Sequence, residues 1–396
     1  MSLTACHLRR CRYPNRNDGT IGFRIALLVP LIALGGCASL QEFFGTAPGN
    51  REAAAQLSER SAEEPIPANH FVLESPQQSV VGVPQVVFAS SEDTLSDLAR
   101  EYGLGYDELI AANPGIDPWL PGENTPVLLP TQFVLPDVPR QGIVLNIASK
   151  RLFYFPQIGE GQATIVKTYP IGIGRVGWET PLGVTTVTAK AKDPHWYVPW
   201  SVRQEHAEMG DPLPSVIPPG PDNPLGHRVL KLEMPGYLIH GTNQPFGVGM
   251  RVSHGCVRLY PENIEYLYEI VDVGELVAIV NEPFLLGQLD GEWYFESHSP
   301  LEDDEVSPEV RLEHLLESHN GEMGIDQEHF DHARAIASIA NGVPSRLGAQ
   351  DTDEVLARAR LVRNTVEVDP DAPTLSEVRE MIDEAVREAE QEAESL

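Results

Sequence analysis

From Gly142 onward the chain is written in short β-branched, partly alternating runs, and this texture limits its fold more than any other feature. Ile143-Val144-Leu145-Asn146-Ile147, Arg151-Leu152-Phe153-Tyr154-Phe155, Thr164-Ile165-Val166-Lys167-Thr168-Tyr169 and Val184-Thr185-Thr186-Val187-Thr188 are separated by turns rich in Gly, Pro, Ser and Asn. Tyr237-Leu238-Ile239 and Leu276-Val277-Ala278-Ile279-Val280 continue the series, and only Pro261 to Val271 reads as a helix. β-branched and aromatic runs bounded by turn residues are strands. The pattern therefore predicts a mainly β domain, sandwich- or barrel-like, over residues 142–282.

Residues 86–130 have a different rhythm. Val86-Val87-Phe88 is strand-like, and Thr94-Leu95-Ser96-Asp97 opens a helix whose apolar stripe is Leu95, Leu98, Ala99 and Tyr102. A second short helix, Tyr106 to Ala112, ends at Asn113-Pro114-Gly115, and Val127-Leu128-Leu129-Pro130 returns as a strand. The order is βααβ. Residues 37–85 are read as a linker, since 38–69 are rich in Ala, Glu, Ser, Gln and Pro and poor in bulky apolar side chains.

The N-terminus reads as an export signal. Arg9, Arg10, Arg12, Arg16 and Arg24 face a single acid, Asp18, and are followed by the apolar run Ile25 to Leu34 and then Gly35-Gly36-Cys37. Ending on Cys, it resembles a bacterial lipobox. Residues 1–36 are then a signal peptide, and Cys37 is the lipidated mature N-terminus, anchored to a membrane without spanning it. Of the four cysteines, Cys6 and Cys11 leave with the signal, Cys37 is consumed by lipid, and Cys256 stays as a lone thiol in an oxidising compartment. Such a thiol is either buried and inert or kept for its chemistry.

Charge is concentrated at the other end. The chain has 58 acidic and 28 basic side chains, a net of −30, and no run of 18 apolar residues that would span a bilayer. Residues 301–396 carry 25 Asp and Glu against 8 Arg and no Lys. That balance excludes nucleic acid as a partner, because phosphate binding needs clustered cations. Residues 283–396 are read as an acidic, largely helical region. Its last helix opens at the capping box Thr374-Leu375-Ser376-Glu377 and carries an apolar face of Leu375, Val378, Ile382, Ala385, Val386 and Ala389.

The chemistry points to Ile239-His240-Gly241-Thr242 and Arg251-Val252-Ser253-His254-Gly255-Cys256-Val257-Arg258-Leu259. A thiol that attacks a carbonyl needs a depressed pKa or a base within hydrogen-bond reach. His240 ends a strand 16 positions before Cys256, a spacing for a strand-loop-strand return that puts both at one rim. Gly255 lets backbone approach a substrate, making the amides of His254, Gly255 and Cys256 candidate oxyanion donors. Arg258 falls on the same strand face as Cys256, where it would lower the thiol pKa or hold a carboxylate. From residues alone, two rivals stay open. One is an inert buried cysteine; the other is a zinc site of His240, His254 and Cys256, which has no fourth ligand at matching spacing. His195 and His206, beside Trp196, Tyr197 and Trp200, are candidate groove residues.

Residues 240–242 and 249–268, with Tyr169–Val187 and Asp211–Gly226 upstream, resemble the L,D-transpeptidases, the YkuD-type domain family, in the subgroup with an N-terminal LysM domain. Residues 86–130 likewise resemble a LysM module, departing from it where Glu92 replaces the usual glycine. The likeness covers roughly residues 70–290 and implies a YkuD-like β-sandwich. It also implies roles: Cys256 as nucleophile, His240 as general base, Gly241 orienting the imidazole through its carbonyl, the 254–256 amides as oxyanion hole, and Ser253 and Arg258 supporting the substrate and the Cys loop. The expected activity is removal of the terminal D-Ala of a peptidoglycan tetrapeptide stem through a Cys thioester. The acyl group passes to an amine of another stem or of a lipoprotein lysine, or to water in a carboxypeptidase. Carbapenems would acylate Cys256, and no metal or organic cofactor is needed. Stem peptides and glycan strands are the implied partners. The periplasmic face of the outer membrane is the implied location, since Ala38 follows Cys37. The competing class is a non-catalytic, LysM-bearing envelope anchor.

Overall fold

The structure, a computed structural model, describes Leu57 and residues 60–157, 164–321, 324–348 and 354–367. The expected signal over 1–36, the lipidation site Cys37 and the helix opening at Thr374 lie outside the described residues.

Three short strands come first: β1 (His70–Val72), β2 (Val80–Gly82) and β3 (Gln85–Phe88). β1 and β2 contradict the expectation of linker up to residue 85, being too short to register as periodic, while β3 falls on the strand-like Val86-Val87-Phe88. Helices α1 (Leu95–Glu101) and α2 (Tyr106–Ala112) follow, α1 begun by reciprocal capping and α2 by a single bond from Glu108 back to the Gly105 amide. Asp97 N–H donates to Thr94 Oγ1 and Thr94 N–H to Asp97 Oδ2, while Gly105 N–H donates to Glu108. α1 buries Leu95, Leu98 and Ala99, the stripe its sequence showed. β4 (Pro126–Leu129) closes the module antiparallel to β3. Asn113 stitches α2 to β4: its amide donates to the Leu109 and Leu128 carbonyls and accepts from Leu128 N–H.

β5 (Gln132–Val134) pairs with β2, and the large sheet then begins with β6 (Gly142–Asn146), β7 (Arg151–Phe155), β8 (Ile165–Pro170) and β9 (Ile173–Gly174). β10 (Gly183–Lys192) leads to an excursion holding β11 (Trp196–Tyr197), helix α3 (Trp200–Glu208) and β12 (Val216–Ile217). α3 has no signature in the sequence, because it buries only Val202 and has no apolar face to read. β13 (Arg228–Leu232), β14 (Leu238–His240), β15 (Arg251–Ser253), β16 (Val257–Arg258), helix α4 (Pro261–Ile270) and β17 (Leu276–Val280) complete the region.

The nine-stranded sheet has the order β1-β8-β7-β6-β17-β10-β13-β14-β16. Its neighbours are antiparallel except β6 with β17 and β14 with β16. β6, β7 and β8 are buried on both faces, which is why they carry apolar residues at consecutive positions, whereas much of β10 is exposed. Ile143, Leu145, Leu152, Tyr154, Val277 and Ile279 point to one face, with Ile264 and Leu267 of α4. Val144, Phe153, Phe155 and Val166 point to the other and share a core with Leu95, Leu98, Leu104 and Leu109 of the βααβ module. The small module is thus packed on the sheet and not held away from it.

Two contacts fix that packing. Arg151 on β7 makes a two-pronged ion pair with Glu108 of α2, its shorter contact 2.6 Å, and lies 4.0 Å over the Phe133 ring. Gly105, at the start of α2, meets Gly249 backbone to backbone; Gly249 has φ +90°, and a Cβ there would lie 2.4 Å from Tyr106 N. Tyr106 N–H donates to Val248 O, and Tyr260 Oη to Leu104 O.

The region after residue 283 departs from the largely helical expectation. β18 (Phe284–Leu289) and β19 (Glu292–Ser297) form a hairpin, and helices α5 (Pro308–Ser318) and α6 (Gln327–Ala337) pack on it. Phe295, Leu316, Phe330 and Ile336 make a separate core. β20 (Ser345–Arg346) joins the hairpin. Helix α7 (Glu354–Arg358) then leads to β21 (Arg360–Val362), which runs back and pairs in parallel with β3. Among the described residues no helix is long and apolar enough to cross a membrane.

Candidate active site

β14 and β16 place the two motif segments side by side. The strands are parallel, with Ile239 opposite Val257 and His240 opposite Arg258. In that register Cys256, the residue before β16, falls beside Leu238 at the start of β14, two positions before His240. Gly241 follows β14, and its Cβ position is 3.0 Å from Ile264, so a side chain would press on α4.

The His240 ring is buried, and its Nδ1–H donates to the Gly241 carbonyl at 2.6 Å. That bond selects the tautomer and leaves Nε2 with its lone pair. Burial, and next the positive charge of Arg258, lowers the His240 pKa to about 3, against the opposing pull of the Gly241 and Leu225 carbonyls. The imidazole is accordingly neutral at ordinary pH. Cys256 is half-buried, and its thiol donates to Gly236 O at 3.6 Å. Burial raises its pKa; the Leu238 amide and Arg258 act in the other direction without overcoming it. The expectation that Arg258 depresses the thiol below its ordinary range is corrected in this sense: the guanidinium pulls as expected, and desolvation wins. The resting pair is thiol and imidazole, not thiolate and imidazolium.

Backbone around the thiol is pinned from the carbonyl side. Ser253 Oγ donates to Cys256 O at 2.6 Å, and Thr180 Oγ1 donates to Gly255 O at 3.0 Å while accepting from Gly174 N–H. A trans peptide points its N–H away from its carbonyl, so Thr180 turns the Cys256 N–H to the opposite side. Among the described residues, the Gly255 and Cys256 N–H groups donate to no other group. Gly255 has φ +97°, and a Cβ there would meet Tyr237 Cε1 at 2.9 Å, so only glycine fits.

Arg258 is partly buried; its Nε finds no hydrogen-bond partner, and no carboxylate pairs with it among the described residues. It is a free cation beside the thiol. Arg251 is different: it pairs with Asp303 at 2.7 Å and donates to Gly174 O, a bond that fastens the loop to the C-terminal region.

His254 does not turn toward His240 and Cys256 as a ligand set would. Its Nε2 lies 2.8 Å from Glu205 Oε2 and 3.2 Å from Arg175 Nη2, and Trp178 meets the ring edge-to-face at 4.8 Å. Burial lowers its pKa, Glu205 opposing and Arg175 assisting. Glu205 also pairs with Arg175, whose hydrogen bond holds the carboxylate below its usual range, with His254 contributing. Among the described residues no three His, Cys, Asp or Glu side chains are grouped to hold a metal ion. His206 is near this cluster, 6.3 Å from the His254 ring; His195 is exposed. Arg175, Trp178, Thr180, Glu205 and Leu225 were not picked out by sequence reasoning. They come from loops distant in sequence, and α3 offered no pattern to find Glu205 by.

Residues 140–279 match the family of L,D-transpeptidase catalytic domains (YkuD), and residues 90–118 match the LysM domain. Over 290 residues the chain is 37% identical to the probable L,D-transpeptidase YcfS of Escherichia coli K12, covering 71% of this chain and 88% of that one. It is 40% identical over 279 residues to the probable L,D-transpeptidase YbiS of the same organism, covering 68% and 88%. With the probable L,D-transpeptidase ErfK/SrfK of Salmonella typhimurium it shares 40% identity over 226 residues, 56% of this chain and 72% of that one.

Proposed function

The chain belongs to the L,D-transpeptidase family, and from that premise we propose how its residues divide the work on peptidoglycan stems. Cys256 is the nucleophile and His240 the base. As Sγ attacks the carbonyl of the third stem residue, an L-centre, neutral His240 Nε2 takes the thiol proton in the same step, so no free thiolate is formed beforehand. The oxyanion is received by the N–H groups of Gly255 and Cys256, with His254 completing the loop. Collapse returns the proton from imidazolium to the leaving D-Ala amine and leaves a thioester. An amine then attacks that thioester, gives its proton to His240, and releases Cys256 as thiol with a new amide bond. Arg258 holds a carboxylate of the bound stem.

The observation that carries this reading is the Nδ1–Gly241 bond at 2.6 Å, which leaves His240 a neutral base on a strand paired with the one that Cys256 leads into. The acceptor amine belongs to another stem or to a lipoprotein lysine. The LysM module supplies glycan affinity, and Cys37 anchors the protein by lipid at the periplasmic face of the envelope, the outer membrane being favoured by Ala38. Incubating purified protein with tetrapeptide muropeptides tests the core of it. D-Ala release with a new cross-link is expected, and sacculus binding with neither would favour a non-catalytic anchor.

A further inference from the structure

Three peptide planes surround the candidate thiol, and they are not held equally. The carbonyl of the Gly255–Cys256 plane accepts from Thr180, and that of the Cys256–Val257 plane accepts from Ser253. Among the described residues no hydrogen bond reaches the carbonyl of the His254–Gly255 plane, whose N–H belongs to Gly255. Gly255, with no side chain and φ +97°, is placed by close packing against Tyr237 and the 178–179 backbone. The residue at the other end of that plane is His254, whose side chain is held by Glu205 at 2.8 Å against the Trp178 edge.

We propose that Glu205 is a positioning residue for acyl transfer: its carboxylate fixes the His254 ring, and through it the Gly255 N–H that receives the oxyanion. This rests on the assignment of Cys256 as nucleophile given above. Arg175 serves as the counter-ion that orients Glu205. Its backbone is tied to the same loop, since Arg175 N–H donates to Ser253 O at 3.1 Å. Glu205 sits on α3, whose one buried residue is Val202, so polar contacts at Glu205 carry much of the attachment of that helix to the site. The excursion bearing α3 ends at Leu225, whose carbonyl acts on His240. One surface segment therefore touches both the base and the oxyanion loop.

Glu205→Ala and Glu205→Gln variants separate positioning from simple structure. Glutamine keeps an acceptor for the His254 N–H; alanine does not. Turnover of tetrapeptide and the rate of covalent meropenem adduct formation on Cys256, read by intact mass, are measured alongside melting temperature. Meropenem is a small acyl donor that also forms an oxyanion. Misplacing one oxyanion donor without deleting it is expected to cost a part of the 10²–10³-fold loss seen on donor removal, about 10–100-fold. Glu205→Ala should lower kcat and slow adduct formation by that factor, with KM and melting temperature near those of the parent, and Glu205→Gln should recover most of both rates. Parental rates for both reactions in Glu205→Ala would overturn the proposal, as would a rise in KM alone with adduct formation unchanged. A parent protein that takes no adduct would instead contradict the nucleophile assignment, and the Glu205 proposal with it.

Discussion

Glu108 of the LysM module and Arg151 of the large sheet form an ion pair with two contacts, their side chains 8% and 2% exposed. Together with the shared core, this joins the LysM module and the large sheet into one packed body. Removing one partner strands a buried charge, which typically costs about 3–5 kcal/mol. Glu108→Ala should lose that much stability in denaturant unfolding, with one cooperative transition for both domains. Two separated transitions in the parent would show that the domains are only tethered.

The Gly105–Gly249 contact makes a sharper steric prediction. Gly249→Ala meets both a left-handed φ, which costs an L-residue about 1–2 kcal/mol, and Tyr106 N at 2.4 Å. Gly274→Ala, at φ +96° with nothing within 4 Å, isolates the conformational part. Gly249→Ala should destabilise clearly more than Gly274→Ala, and it should also lower activity, because the 245–250 loop leads into Arg251–Cys256. Equal losses in the two variants would contradict the docking.

Acid stability follows from His240. Its ordinary pKa is 6.5 and its folded value about 3. Between these values the unfolded chain binds the extra proton, so stability from this group is full above pH 6.5 and is lost as pH falls toward 3. A shift of this size corresponds to roughly 5 kcal/mol at most. His240→Gln should flatten the pH dependence of unfolding free energy in that window while abolishing turnover. An unchanged slope would contradict the buried neutral ring.

The raised thiol makes the opposite-facing prediction. Iodoacetamide reacts with thiolate, so burial at Cys256 should keep alkylation slow at pH 7 and move its midpoint above the ordinary thiol range. Alkylation that is complete and pH-independent near neutrality would mean a preformed thiolate, and the concerted proton transfer to His240 would then be wrong.

Much of this was legible in the residues, for reasons that differ by region. The capping residues at Thr94 and Asp97 and the stop at Asn113 mark α1 and α2 closely, since caps are local chemistry. The alignment of His240 with the Cys256 segment could be read as a strand return, although only the structure shows that it is parallel. The packing of the LysM module on the sheet was not legible. Val144 and Ile143 are equally apolar, and no periodicity tells which partner each face meets. The hairpin at Leu289-Asp290-Gly291-Glu292 carries a local signal: Asp-Gly between strand-like runs, with φ 54° and 83° as a type I′ turn requires. β21 and the Glu205–His254 contact are long-range events that a single sequence does not encode locally.

Acyl transfer by this protein depends above all on Cys256 acting as an acyl carrier served by His240. Intact-mass analysis after meropenem exposure tests this most directly, using the parent, Cys256→Ala and His240→Gln. One adduct on the parent, none on Cys256→Ala and greatly slowed formation on His240→Gln are predicted. An unmodified parent, or an adduct of equal mass and rate on Cys256→Ala, would contradict it.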